Sequence, residues 1–140
     1  MDKADFDAMN NPVIEEFRAR GGVAGGIFEG KPLVLVHHIG AKSGIERIAP
    51  LVALVEGDRS YVFASKGGAD THPDWYRNLV ANPQITVEQG TETYQATARF
   101  LDGAERDEVY ARQCAVEPQF AEYQRNTERV IPVIELVRTA

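Results

Sequence analysis

The sequence predicts an α+β domain, mainly β, in which six short antiparallel strands close, or nearly close, into a barrel with helices packed outside it. Two observations carry this. The β-branched and apolar runs are short and joined by hairpin-length turns, and the helical segments interrupt them once in the middle and twice late, without the strand–helix alternation of a parallel sheet. Closure also removes exposed sheet edges. With 140 residues, 44% of them hydrophobic, the chain can bury one core and is too short for two ordinary domains. Residues 1–140 are therefore read as a single domain, with residues 1–10 as an N-terminal tail open to flexibility.

The elements follow in order. From about Pro12 to Arg20, Val13, Ile14 and Phe17 recur at helical spacing among Glu15, Glu16 and Arg18, and Gly21-Gly22 stops the helix. Leu33 to Ile39, Ile48 to Val55 and Ser60 to Ala64 read as strands, with Glu56-Gly57-Asp58-Arg59 as a hairpin turn between the last two. Beyond Gly67-Gly68, Thr71 or His72 is expected to cap a helix with Pro73 in its first turn, ending at Asn82-Pro83. Ile85 to Glu88 and Glu92 to Phe100 form a hairpin, the second run alternating apolar Tyr94, Ala96, Ala98 and Phe100 with polar neighbours. Asp102 with Glu105 is a capping-box start to a helix reaching about Cys114, Pro118 to Arg125 is another helix, and Val133 to Val137 is the last strand.

Composition excludes several functions. A net charge of −6 argues against the basic surface that nucleic-acid binding needs, so any anion must be gripped locally. Cys114 is the single cysteine, which excludes an intrachain disulfide or thiolate-rich metal cluster and fits a reducing, cytoplasmic compartment. The start Met1-Asp2-Lys3-Ala4-Asp5 lacks the basic end and apolar run of a secretory signal, and Pro32 to Ile39 is too short to span a membrane. Contact at the inner face of a membrane and a homodimer are left open. His37 and His38 are adjacent on a strand and face opposite ways, so they do not share a metal, and no metal site is expected.

Three segments carry chemistry. Gly40-Ala41-Lys42-Ser43-Gly44-Ile45-Glu46-Arg47 joins two strands and combines two turn glycines, a hydroxyl and two cations, a composition that suits a phosphate or carboxylate. By spacing alone a solvated turn with incidental charges is the simpler reading. Ala64-Ser65-Lys66-Gly67-Gly68 offers a second hydroxyl, cation and glycine pair at a strand end before a helix, and both loops open toward the same end of the intervening hairpin. Third, the helix beginning at His72-Pro73 carries Trp75 and Tyr76, rings that can pack on the core or on a flat heterocycle.

In this order and spacing the segments resemble the deazaflavin-dependent nitroreductase family of actinobacteria, a branch of the split β-barrel flavin and deazaflavin oxidoreductases. The likeness runs through Leu33 to Gly44, Arg47, Pro50-Leu51, Ala64 to Gly68, Pro73, Trp75-Tyr76, Asn78-Leu79, Ala81-Asn82-Pro83 and Thr127 to Val133. It implies a six-stranded split barrel holding coenzyme F420, an 8-hydroxy-5-deazaflavin with a phosphodiester and polyglutamate tail; FMN on the same barrel is the alternative cofactor. The resemblance implies that Lys42, Ser43, Gly44 and Arg47 hold the phosphate and tail, and that Ser65, Lys66 and Gly67 sit at the ribityl chain and phosphate. Pro50, Leu51, Val52 and Ala64 would border the ring, and Trp75 and Tyr76 would close the pocket. It also implies hydride delivery to a small electron-poor acceptor, a quinone or nitroaromatic. Phe17, Glu117, Phe120 and Tyr123 would meet the acceptor, and Tyr123 or Ser65 would supply the proton. Two departures stand out: Ala41 where the family often has a basic residue, and Glu117 and Phe120 where its nitro-activating members carry tyrosines. A non-catalytic carrier of the coenzyme is the rival outside enzymology.

Overall fold

A computed structural model describes residues 3–139, with side chains described from Asn10 onward except that of Ile27. Its strands are β1 (Leu33–Ile39), β2 (Glu46–Glu56), β3 (Arg59–Phe63), β4 (Gln84–Gln89), β5 (Glu92–Phe100) and β6 (Val133–Arg138). They close in the order β1-β2-β3-β6-β5-β4, every pair antiparallel, so the expected six-stranded barrel is present. The helices are α1 (Lys3–Ala19), α2 (Asp74–Ala81), α3 (Gly103–Val116) and α4 (Gln119–Arg125).

Alternation along the strands sorts the core into layers. Val34, Val36, Val62, Ile85, Val87, Ala96, Ala98, Ile134 and Leu136 fill the barrel, joined by Leu79 of α2, which closes one end. On the outer face, Leu33 and Leu35 pack with Ile14 and Phe17 of α1. Tyr61, Phe63 and Val133 pack with Val109, Tyr110 and Phe120 of α3 and α4. β1 is thus buried on both faces, which is why Leu33-Val34-Leu35-Val36 is an unbroken apolar run and not an alternating one.

Three expectations about helix ends are corrected. α1 starts at Lys3, so residues 3–10 are helical where a tail was expected and Met1 and Asp2 lie outside the described residues; Pro12, read as a start, sits inside the helix. Pro73 caps α2 with extended backbone (φ −67°, ψ 154°) in place of Thr71 or His72, and Asp74 is the first helical residue. Asp102 does occupy the α3 cap, but its side chain makes no capping bond, because Gly103 has a left-handed φ of +55°. Glu105 instead forms a fork with Arg99 at 2.7 and 3.0 Å.

Candidate active site

The two cationic loops lie at one end of the barrel, where β1 and β3 finish and β2 begins, and α2 covers that end. The first loop is Gly40 to Ile45, closed by the Gly40 N–H donating to Ile45 O at 2.9 Å and the Gly44 N–H to Gly40 O at 2.9 Å. The Ile45 N–H donates to Ser43 Oγ at 3.2 Å. Arg47, expected in the loop, belongs to β2 and pairs with His38, so strand geometry directs it to the same face as Val36 and Ala49. It is half-buried, while Lys42, Ser43 and Gly44 are exposed. Among the described residues neither Lys42 nor Arg47 forms an ion pair.

A side-chain relay ties this loop to α2. The Ala41 N–H donates to Asn78 Oδ1 at 2.9 Å, which orients the amide so that its Nδ2 donates to His38 Nδ1 at 2.9 Å. Asn82 Nδ2 adds a bond to Ile39 O at 3.3 Å. His38 accepts at Nδ1 and so must be neutral, with its proton on Nε2. Its surroundings agree: burial first, and Arg47 second, push its pKa down to about 4. Between 6.5 and about 4 the unfolded chain takes up a proton that the folded chain refuses. Stability is therefore expected to fall as pH is lowered through this window, by up to about 3 kcal/mol from His38. Urea midpoints of wild type and His38→Gln between pH 7 and 4 would read it, the variant showing the shallower loss; parallel curves would mean that His38 is charged in the fold.

The second loop begins at Ser65 in αR conformation (φ −75°, ψ −39°). Lys66 follows at φ +48°, the one positive φ at a non-glycine residue among those described, and Gly67 and Gly68 continue at +64° and +85°. Such an αR–αL succession turns consecutive N–H groups toward one point, a concavity suited to an anion. The Lys66 ammonium donates from Nζ to Thr71 Oγ1 at 3.1 Å. Ser65 is half-buried, Gly67 is exposed and Ala64 is fully buried in the barrel interior.

Strand alternation separates the remaining ring-bordering residues. Leu51 of β2 and half-buried Trp75 and Tyr76 of α2 each pack against the barrel interior. Pro50 and Val52 pair with Leu35 and Leu33 and point to the α1 side. Tyr76 also contacts His72, with ring centroids 4.7 Å apart, and meets Phe100 edge-on at 5.8 Å.

Of the acceptor-side residues, only Tyr123 reaches the loops: its backbone lies against Gly68, and its half-buried ring packs edge-on to Phe120 at 5.2 Å. Phe120 is buried with Phe63 and Tyr110, and Phe17 is 1% exposed under α1, so both are core side chains. Glu117 pairs with Lys31 at 3.4 Å, beside the start of β1 and away from the loops. Sequence reasoning left three positioning groups without a role here: His38, Asn78 and Arg129. All three fall within stretches that carry the family resemblance, but nothing in their local pattern assigns them a role.

A family model described as F420H(2)-dependent quinone reductase matches residues 11–138. An F420H(2)-dependent quinone reductase of Mycobacterium tuberculosis is 35% identical over 112 residues, covering 76% of this chain and 74% of the relative. A solved structure described as an F420-H2 dependent reductase (FDR-A) is 42% identical, covers 75% of this chain and 93% of its own, and superposes with a TM-score of 0.69. Another, described as a domain-swapped dimer, is 36% identical over 96% of this chain and 99% of its own, with a TM-score of 0.71. A haem storage protein from Vibrio cholerae, at 17% identity and a TM-score of 0.58, shares the fold alone.

Proposed function

We propose that this chain, which belongs to the F420H(2)-dependent quinone reductase family, grips the phosphorylated tail of the deazaflavin with its two cationic loops and lays the ring on the rim of Leu51, Trp75 and Tyr76. Membership makes it an F420H2-dependent oxidoreductase with coenzyme F420 as cofactor. The observation that supports the assignment of residues is that both loops leave strand ends on the α2 side of the barrel, the first bonded to α2 itself, while Leu51, Trp75 and Tyr76 pack half-buried on the barrel interior. A flat ring with a phosphate tail asks for such a combination: a half-buried apolar platform beside local cations.

When bound, reduced deazaflavin supplies a hydride from its C5 to the quinone. The chain's own part is positioning. Lys42 and Arg47 hold the phosphate and tail from the first loop, Arg47 more firmly because it stands on a strand. The N–H groups of Ser65, Lys66 and Gly67, with the Lys66 ammonium, hold the phosphate end from the second. Trp75 and Tyr76 keep water from the ring. The acceptor would lie on the α4 side, with the Tyr123 hydroxyl or Ser65 Oγ as the proton donor. A quinone is the favoured acceptor because the matching family model and the mycobacterial relative are described as quinone reductases.

The deciding experiment titrates purified protein with F420 and with FMN, then follows F420H2 oxidation with a menadione-type quinone. Binding of F420 in preference to FMN, with quinone-dependent oxidation above buffer, is expected. Yellow protein that carries FMN and ignores F420 would overturn the assignment, and tight F420 binding without turnover would make the chain a carrier. Tyr123→Phe is expected to lower quinone turnover by about a hundredfold while leaving F420 affinity nearly unchanged. A loss of binding in its place would put coenzyme and acceptor on exchanged sides. The domain-swapped relative favours a homodimer for this chain as well, and light scattering that returns the 15.5 kDa monomer mass would refute it.

A further inference from the structure

The second loop is strained at Lys66, and one distant side chain holds it there. Arg129, in the connection between α4 and β6, donates from Nη1 to Ala64 O at 3.1 Å, from Nη2 to Ser65 O at 2.6 Å and from Nε to Ala69 O at 2.7 Å. A further contact joins Nη1 to His72 Nδ1 at 3.0 Å. One guanidinium thus collects the carbonyls on both sides of Lys66 and Gly67. Carbonyls drawn to one side leave the intervening N–H groups facing the other, which is the αR–αL concavity itself. The contact spans 60 residues or more of sequence, and no local preference of Ser65 or Lys66 would favour it.

The charge on Arg129 is only partly offset. Among the described residues it forms no ion pair with a carboxylate; its acceptors are three neutral carbonyls and an imidazole. Burial outweighs the nearby Asp70 in its environment and lowers its pKa from the usual guanidinium value. A half-buried cation bonded only to neutral dipoles, and partly offset by Asp70, retains an attraction for an anion held at the loop. His72 answers in kind: burial, then Arg129, then Arg77 hold it below its ordinary pKa, so it stays an acceptor for the guanidinium.

We propose that Arg129 is a positioning residue for coenzyme binding: it folds the Ser65–Lys66–Gly67 backbone into an anion cradle and adds its positive charge from behind. This rests on the reading above that the loop takes the coenzyme's phosphate. Arg129→Lys keeps the charge but loses the planar fork, and Arg129→Ala loses both. In both variants F420 affinity is expected to fall by at least about tenfold, more in the alanine, while kcat at saturating coenzyme and the quinone KM stay within about twofold. Millimolar guanidinium is expected to restore affinity to Arg129→Ala and not to Lys66→Ala.

Unchanged F420 affinity in folded variants, or kcat and affinity falling together without guanidinium rescue, would make Arg129 a structural anchor only and overturn the proposal. Should the variants fail to fold, wild type decides by NMR. The Arg129 Nε–H is expected to exchange slowly and to shift together with the amides of Ser65, Lys66 and Gly67 on adding F420; a fast-exchanging Nε–H that ignores the ligand overturns it. Should wild type bind no F420, the coenzyme reading falls separately. Inorganic pyrophosphate then serves as the probe in the same variants, with equal binding in all of them overturning the role of Arg129.

Discussion

Gly68→Ala is expected to destabilise the protein by about 2–4 kcal/mol and to disturb the site as it does so. Gly68 is buried with φ +85°, and a β-carbon there would lie 2.9 Å from Tyr123 O and 3.0 Å from Tyr123 Cα. Both obstacles are backbone, so no rotamer change relieves them. Either the second loop or α4 must move, and those are the two elements that present Lys66 and Tyr123. Gly67→Ala is the control: φ is +64° but nothing lies within 4 Å of the new methyl group, so only the left-handed backbone contributes, about 1 kcal/mol. Urea denaturation of both variants separates the steric part from the conformational part. Equal losses would mean that α4 yields freely and that the contact does not hold Tyr123 in place. A larger loss in Gly68→Ala accompanied by slower quinone turnover would tie the close approach to the acceptor side.

How much of this was legible in the sequence depends on how local the cause is. The strands were legible because apolar and polar residues alternate along Tyr94 to Phe100 and hairpin turns separate the runs; alternation is written into each segment by its own two faces. The cationic loops were legible as composition. Their mutual placement followed from hairpin geometry, because β2 leads from one and β3 leads to the other. The helix ends were not, since Pro12 is tolerated within α1 and Gly103 disables the cap that Asp102 offers by side-chain type alone. Nor was the sorting of Pro50, Leu51 and Val52 taken into account, although strand alternation already places neighbours on opposite faces. What no local pattern could disclose is support from afar: His38 reaches Asn78 across 40 residues, and Arg129 reaches Ser65 across 64. Phe17 and Phe120 show the converse, aromatic residues whose tertiary burial makes them core.

Removing the cations of both loops is expected to have the largest effect on function. Arg47→Ala and Lys66→Ala should each weaken F420 binding by about 1.5–3 kcal/mol, the range for hydrogen bonds to a charged partner, which is roughly 10- to 150-fold in Kd. The two loops are built on different elements, Arg47 on β2 and Lys66 in the turn after β3, so neither substitution should disturb the other's backbone. The double variant then reports whether they share a ligand group. If both cations meet the same phosphate, the combined loss falls short of the sum, because the anion relaxes toward whichever charge remains; if one holds the phosphate and the other the tail carboxylates, the losses add to within about 0.5 kcal/mol. Repeating the titration with F420 of shorter tail distinguishes these cases independently, since only a tail-binding cation loses its effect as glutamates are removed. Unchanged affinity in both single variants, with thermal unfolding as in wild type, would move the anion site away from this end of the barrel. The net charge of −6 sharpens the test: an acidic protein repels an acidic coenzyme at long range, so affinity must come from these few local contacts and should vanish when they go.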